Sequence, residues 1–128
     1  MTQGEKMARI LIADDASFMR QMIREIVEPE GFEIVAEAAD GVEAVEQYES
    51  FRPDLVMMDI VMPKRSGIDA VKGILEVDPT ACVVMCSALG QESLVTKSLQ
   101  AGAKDFIVKP FMPEAVLETL GKLADKPG

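Results

Sequence analysis

Residues 8–15 read ARILIADD: a short apolar run that stops on two aspartates. An apolar run of this length, bounded by charge, reads as a strand buried on both faces, as in a parallel sheet. The pattern recurs along the chain. Residues 55–58 (LVMM) end on Asp59, residues 82–86 (CVVMC) end on Ser87, and residues 106–108 (FIV) end on Lys109, followed by Pro110. Helical stretches separate these runs. In an open α/β sheet, ligands bind outside the carboxyl ends of the strands. Asp14, Asp15, Asp59, Ser87 and Lys109 would all gather at that edge. Three acids, one hydroxyl and one ammonium are the composition of a site for a metal ion and a phosphoryl group.

Working outward, the spacing predicts strands at 9–14, 33–37, 54–58, 82–86 and 105–108. Helix 1 spans about residues 17–28, with Phe18, Met19, Met22, Ile23, Ile26 and Val27 as its apolar stripe; Pro29 and Gly31 end it. Asp40 reads as the N-cap of helix 2, which turns Val42, Val45 and Tyr48 inward and stops before Pro53. Helix 3 follows the loop IVMPKRSG, with Ile68, Val71, Ile74 and Leu75 inward. Helix 4 runs from about Gln91 to the break at Gly102. Helix 5 opens near Pro113 and carries Val116, Leu117, Leu120 and Leu123. Strands alternating with helices imply βαβ units. The expected fold is α/β: a doubly wound, five-stranded parallel sheet with five helices. Strand 2 brings no comparable polar group and so fits an edge position away from the site.

The chain has 128 residues, 48% of them hydrophobic and 27% charged, which fits a single globular domain with its own core. Residues 1–7 read as a disordered extension and 8–125 as the domain. A net charge of −9 argues against nucleic-acid partners and against docking on anionic lipid. No apolar stretch reaches transmembrane length and the start has no signal-peptide core, so a cytoplasmic protein is expected. Cys82 and Cys86, four apart in one strand, lie too far apart for a disulfide and read as small core residues. Histidine is absent, which removes imidazole acid–base chemistry and histidine metal ligands.

Each site residue alone has a plainer reading. An Asp-Asp pair before a helix is often only a cap with favourable dipole placement. Ser87 alone is turn chemistry and Lys109 alone a solvated lysine. What favours chemistry is their shared position at the ends of strands 1, 3, 4 and 5. Clustered carboxylates repel one another. A divalent cation removes that conflict, and oxygen-only ligands select a hard ion such as Mg²⁺. A carboxylate facing such a cation can act as a nucleophile toward phosphorus.

The segments ILIADDASFMR, DLVMMDIVMPKRSG, VVMCSALG and AGAKDFIVKPF resemble the receiver domains of two-component response regulators. The likeness covers nearly everything from Ala8 to Leu123, and within the family it is closest to single-domain chemotaxis regulators of the CheY type. It implies the flavodoxin-like, CheY-like strand order 2-1-3-4-5. It implies that Asp59 is the phosphoacceptor, charged from the phosphohistidine of a histidine kinase. Asp15 and Asp59 would bind Mg²⁺ directly and Asp14 through water, with the Val61 carbonyl completing the protein ligands. Ser87, Lys109 and the Ala88 N–H would contact the phosphoryl oxygens, and Lys109–Pro110 would be cis. Ser87 and Phe106 would form the switch that remodels the helix 4–strand 5–helix 5 face for an output partner such as a flagellar switch component. A phosphatase is a further implied partner, and nothing demands more than a monomer.

Several positions depart from the pattern. Phe106 replaces the tyrosine common in the CheY group. Glu92 and Thr119 stand where the best-known CheY type carries lysines, which bears on motor docking. Gly90, Val95 and Val108 keep a surface suited to packing a partner helix. Val61 and Leu89 would flank the acyl phosphate, and neither can orient an attacking water, so slow self-dephosphorylation is expected. Two other readings compete. One is a phosphorelay shuttle or phosphate sink without a motor target. The other is a Mg²⁺-dependent aspartyl phosphatase, which would want an acid two residues after Asp59, where Val61 stands. A receiver would catalyse only its own phosphorylation and dephosphorylation. A nucleotide or flavin module is disfavoured because no G-x-G-x-x-G follows strand 1.

Overall fold

Successive strand residues point to opposite faces of a sheet, and here both faces are apolar. In β1 (Arg9–Ala13), Ile10 and Ile12 join one core layer while Leu11 and Ala13 join the other. The same split divides β3 (Leu55–Met58) and β4 (Val83–Ser87), where Met57 and Val84 lie on one side and Met58 and Met85 on the other. Burying one such side chain contributes about 1.5–3 kcal/mol, so two apolar faces demand helices on both. The computed structural model supplies them; it describes residues 8–88 and 91–124. The expected extension at 1–7, Leu89, Gly90 and the domain end at Asp125 lie outside the described residues.

The remaining elements are α1 (Ser17–Val27), β2 (Glu33–Ala38), α2 (Gly41–Phe51), α3 (Gly67–Val77), α4 (Glu92–Ala101), β5 (Asp105–Val108) and α5 (Pro113–Ala124), with a 3-10 turn at Glu28–Glu30. All strand pairs are parallel and the order is β2-β1-β3-β4-β5. This is the doubly wound, flavodoxin-like arrangement expected. Helices α1 and α5 cover the Ile10/Met57 face; α2 and α3 cover the Leu11/Met58 face. The β1–β2 register shifts between Ile10 and Leu11, a bulge that no local sequence signal announced.

Local chemistry explains the helix ends. The Asp40 carboxylate accepts from Glu43 N at 2.7 Å, and Glu43 Oε1 accepts from Ala39 N at 2.7 Å, a reciprocal cap on α2. Ser66 caps α3 by accepting from Asp69 N. Gly102 ends α4 at φ +116°, a left-handed conformation that favours glycine, and a Cβ there would also push on the tip of Leu75.

Three expected inward residues face solvent instead. Phe18 is 67% exposed, Met22 43% and Val42 40%. On α1, the buried residues are Ile23 and Val27, four apart. Phe18 and Met22 each stand one residue round the helix from Met19 and Ile23, which turns them off the sheet. On α2, Ala44 and Tyr48 make the buried line and Val42 falls outside it. α4 is the least anchored of these helices: its N-cap makes no side-chain hydrogen bond, and its only fully buried residue is Ser98.

Candidate functional site

The carboxyl ends of β1, β3, β4 and β5 bring the polar residues together. β1 runs out at Asp14, whose backbone N donates to Ala38 O on β2 at 3.0 Å. Its side chain is almost wholly buried, and Oδ1 accepts from Ala16 N at 2.9 Å, a local turn that leads into α1. Asp15, the next residue, is exposed. Asp59 follows β3; its N donates to Ala13 O at 2.9 Å, and its Oδ1 accepts from Ile60 N at 2.8 Å. Ser87 is the last residue of β4 and is buried, while Ala88 beside it is exposed. Lys109 follows β5 and donates its backbone N–H to Ser87 O at 2.9 Å. The Lys109–Pro110 bond is cis, as expected.

One carboxylate oxygen from each of Asp14, Asp15 and Asp59 lies within 4.8 Å of the others. Lys109 Nζ donates to Asp14 Oδ2 at 2.7 Å and stands 3.6 Å from Asp59 Oδ2. The ammonium therefore belongs to the acid cluster, from a residue 95 positions away from Asp14. Burial raises the Asp59 carboxyl above its usual range; the Lys109 charge pulls it back, and the Asp14 charge raises it further. Burial alone would lower the Lys109 ammonium, but the hydrogen bond to Asp14 and the charge of Asp59 outweigh it and raise the ammonium above its ordinary value. A single ammonium facing three carboxylates leaves the cluster short of positive charge. All the donors are hard oxygens, so the residues fit a small divalent cation such as Mg²⁺.

Two backbone features hold Asp59, and the sequence did not flag them. A Cβ at Gly67 would lie 1.9 Å from Asp59 O, and Gly67 N donates to Ile60 O at 2.8 Å. The glycine closing the IVMPKRSG loop is the only available signal. Arg20 on α1 donates to the Asp14 carbonyl and, through Nε, to Glu37 Oε1 at 2.7 Å. Nothing in the spacing marks it. Phe106 is half-buried in β5, its ring on the α2/α3 side of the sheet. Val61, in the loop after Asp59, exposes its side chain at 61%. Val108 is exposed and Val95 half-buried on the α4–β5 side. Met57, Met58 and Met85 are core, and Cys86 is buried.

A two-sided parallel sheet with an acid–lysine cluster at its carboxyl edge defines an α/β protein of the doubly wound class with an oxygen-rich site. Residues 10–121 match the family model of the response regulator receiver domain, and the chain belongs to that family. Among its relatives is the chemotaxis protein CheY of Thermotoga maritima, 52% identical over 91% of this chain and 97% of that protein. The Bacillus subtilis chemotaxis protein CheY is 57% identical over 89% of this chain and 95% of that protein. Among solved structures, a CheX–CheY–BeF3–Mg²⁺ complex from Borrelia burgdorferi superposes with a TM-score of 0.89 at 43% identity, covering 93% of this chain and 90% of that one. No helix among the described residues is long and apolar enough to cross a membrane.

Proposed function

We propose that this chain is a response regulator that accepts a phosphoryl group on Asp59 from a histidine kinase and works in chemotaxis. The observation that carries this reading is the convergence of Asp14, Asp15, Asp59 and Lys109 at one sheet edge, with Lys109 Nζ 3.6 Å from Asp59 Oδ2. In the transfer, an Asp59 carboxylate oxygen attacks phosphorus, the P–N bond of the donor phosphohistidine breaks, and its electron pair returns to the imidazole. Bound Mg²⁺ would offset the charge that develops on the phosphoryl oxygens. Asp15, Asp59 and the Val61 carbonyl would hold it directly and Asp14 through water. This division of roles agrees with Asp14 Oδ2 being occupied by Lys109. Lys109, the Ser87 hydroxyl and the Ala88 N–H then engage the phosphoryl oxygens.

Movement of Ser87 toward the phosphoryl group would release space for Phe106 to turn inward. That repacking would carry the charge change to the α4–β5–α5 face, a two-state element biased by a local event. The chain would act as a cytoplasmic monomer and catalyse only its own phosphorylation and dephosphorylation. Its partners would be a histidine kinase, an output protein such as a flagellar switch component, and a phosphatase. The CheX–CheY–BeF3–Mg²⁺ neighbour supports a Mg²⁺ site and a protein partner of this general kind. Glu92 at the start of α4 and Thr119 on α5 favour retaining one alternative output, a shuttle or sink without a motor target.

The test is mass spectrometry after incubation with acetyl phosphate and Mg²⁺. The expected result is a Mg²⁺-dependent, base-labile phosphoryl adduct on the wild type and none on Asp59→Asn. An adduct on both, or on neither, would refute the assignment of Asp59. Onward transfer to a histidine phosphotransfer domain, against binding of a flagellar switch peptide, would separate the two outputs.

A further inference from the structure

We infer that Arg65 is a positioning residue for the metal-holding loop, keyed into two glycine notches on α2 and α3. The inference rests on the receiver reading above. The loop between Asp59 and α3 carries both Asp59 and Val61, and Arg65 sits near its far end. The backbone of Arg65 presses on the first residue of α2: a Cβ at Gly41 would lie 2.0 Å from Arg65 O and 2.6 Å from Arg65 C. Its side chain lies on α3: a Cβ at Gly73 would lie 2.9 Å from both guanidinium nitrogens Nη1 and Nη2. One residue is thus seated on two helices at once, backbone on one and guanidinium on the other.

Charge does not explain this seat. Arg65 makes no ion pair with any described residue, although the chain carries 22 acids. A flat guanidinium fits against a Cβ-free stretch of helix where a bulkier contact would not, so shape supplies the reason. Neighbouring residues reinforce the clamp. Arg65 N donates to Pro63 O at 2.7 Å, Lys64 is held at φ +68°, and Lys64 Nζ pairs with the α2 cap Asp40 at 3.6 Å. Two residues beyond Arg65, Gly67 meets the Asp59 carbonyl with no room for a Cβ. A displacement of Arg65 is therefore passed through Gly67 to Asp59 and Ile60. Groups that orient metal ligands without touching the metal typically change affinity by about 10–100-fold when removed.

The experiment is Mg²⁺ titration by calorimetry on wild type, Arg65→Ala and Gly73→Ala. Amide resonances of Ile60 and Val61 are recorded in the metal-free proteins. Arg65→Ala is expected to raise the Mg²⁺ dissociation constant about tenfold and to shift both resonances before any metal is added. Gly73→Ala, which disturbs only the guanidinium seat, should act in the same direction to a smaller extent; it decides the matter if Arg65→Ala fails to fold. Tyr48→Phe is the control for a purely structural loss: it removes the hydrogen bond to Asp78 Oδ2 on the same side of the sheet and should leave Mg²⁺ affinity unchanged. Affinity within twofold of wild type in Arg65→Ala, or an equal loss in Tyr48→Phe, would overturn the inference. Absence of Mg²⁺ binding by the wild type would overturn the receiver reading itself, and the inference with it.

Discussion

Ser98→Ala should make this protein more stable. Ser98 is fully buried in α4, and its Oγ has no hydrogen-bond partner among the described residues. A buried hydroxyl left unsatisfied costs about 1–3 kcal/mol. Alanine removes that cost and adds a few tenths of a kcal/mol, about 0.5, in helix propensity. Against this stands the void left by one oxygen. At about 24 cal/mol per Å³ and roughly 15 Å³, that void costs only about 0.4 kcal/mol. The net expectation is a gain of about 1–3 kcal/mol. For a chain of this length, each kcal/mol moves the melting temperature by about 3–5 °C, so the midpoint should rise by about 3–15 °C. Thermal unfolding by circular dichroism would read it, with a urea series to show a raised midpoint at unchanged slope. Because α4 buries no other residue fully, amide exchange within α4 should slow as well. An unchanged or lower midpoint would refute the reasoning, and would mean that the hydroxyl turns back to bond a carbonyl of its own helix.

Lys109→Met leaves the buried Asp14 carboxylate without its ammonium partner, a loss on the order of 3–5 kcal/mol. The variant should melt well below wild type in EDTA, regain more stability than wild type on adding Mg²⁺, and take up no phosphoryl group. An equal Mg²⁺-induced shift in both proteins would contradict the shared acid–lysine cluster. Hydrogen bonds from Arg24 and Arg20 hold the Glu37 carboxyl below the usual glutamate range, the Arg24 bond being the larger cause. A carboxyl lowered by folding contributes stability that is present above its unfolded value, about 4.3, and is lost as pH falls through its folded value. Melting temperature should therefore fall less steeply below about pH 5 in Glu37→Gln than in wild type; parallel curves would count against this pairing. On the proposed receiver function, Val61→Asn combined with Leu89→Glu should shorten the lifetime of the acyl phosphate. A lifetime equal to wild type would reject the idea that these two positions set it.

Much of this protein is written locally. Strand parity, the Asp40 cap and the break at Gly102 depend on residues within a turn or two of each other, so the order of elements could be read directly. The acid cluster was legible for a related reason. Strand ends in a parallel sheet share one edge, so an aspartate after β1 and another after β3 must approach each other, and they do, within 4.8 Å. Other features depend on what lies across a layer, which periodicity does not encode. Phe18, Met22 and Val42 belong to apolar stripes yet face solvent, because only packing decides which part of a wide stripe meets the sheet. The bulge between β1 and β2 arises from pairing rather than composition. Ser98 is buried because α4 settles with that side down, and its hydroxyl finds no partner among the described residues. The lysine that neutralises Asp14 comes from 95 residues away, and Arg65 lies against Gly41 of α2 and Gly73 of α3, far from it in sequence or on another element. Sequence alone determined the fold class and the chemical composition of the site. Tertiary structure decided which charges touch, which helices hold the loop, and which apolar residues remain exposed, because those depend on contacts between segments that no local pattern specifies.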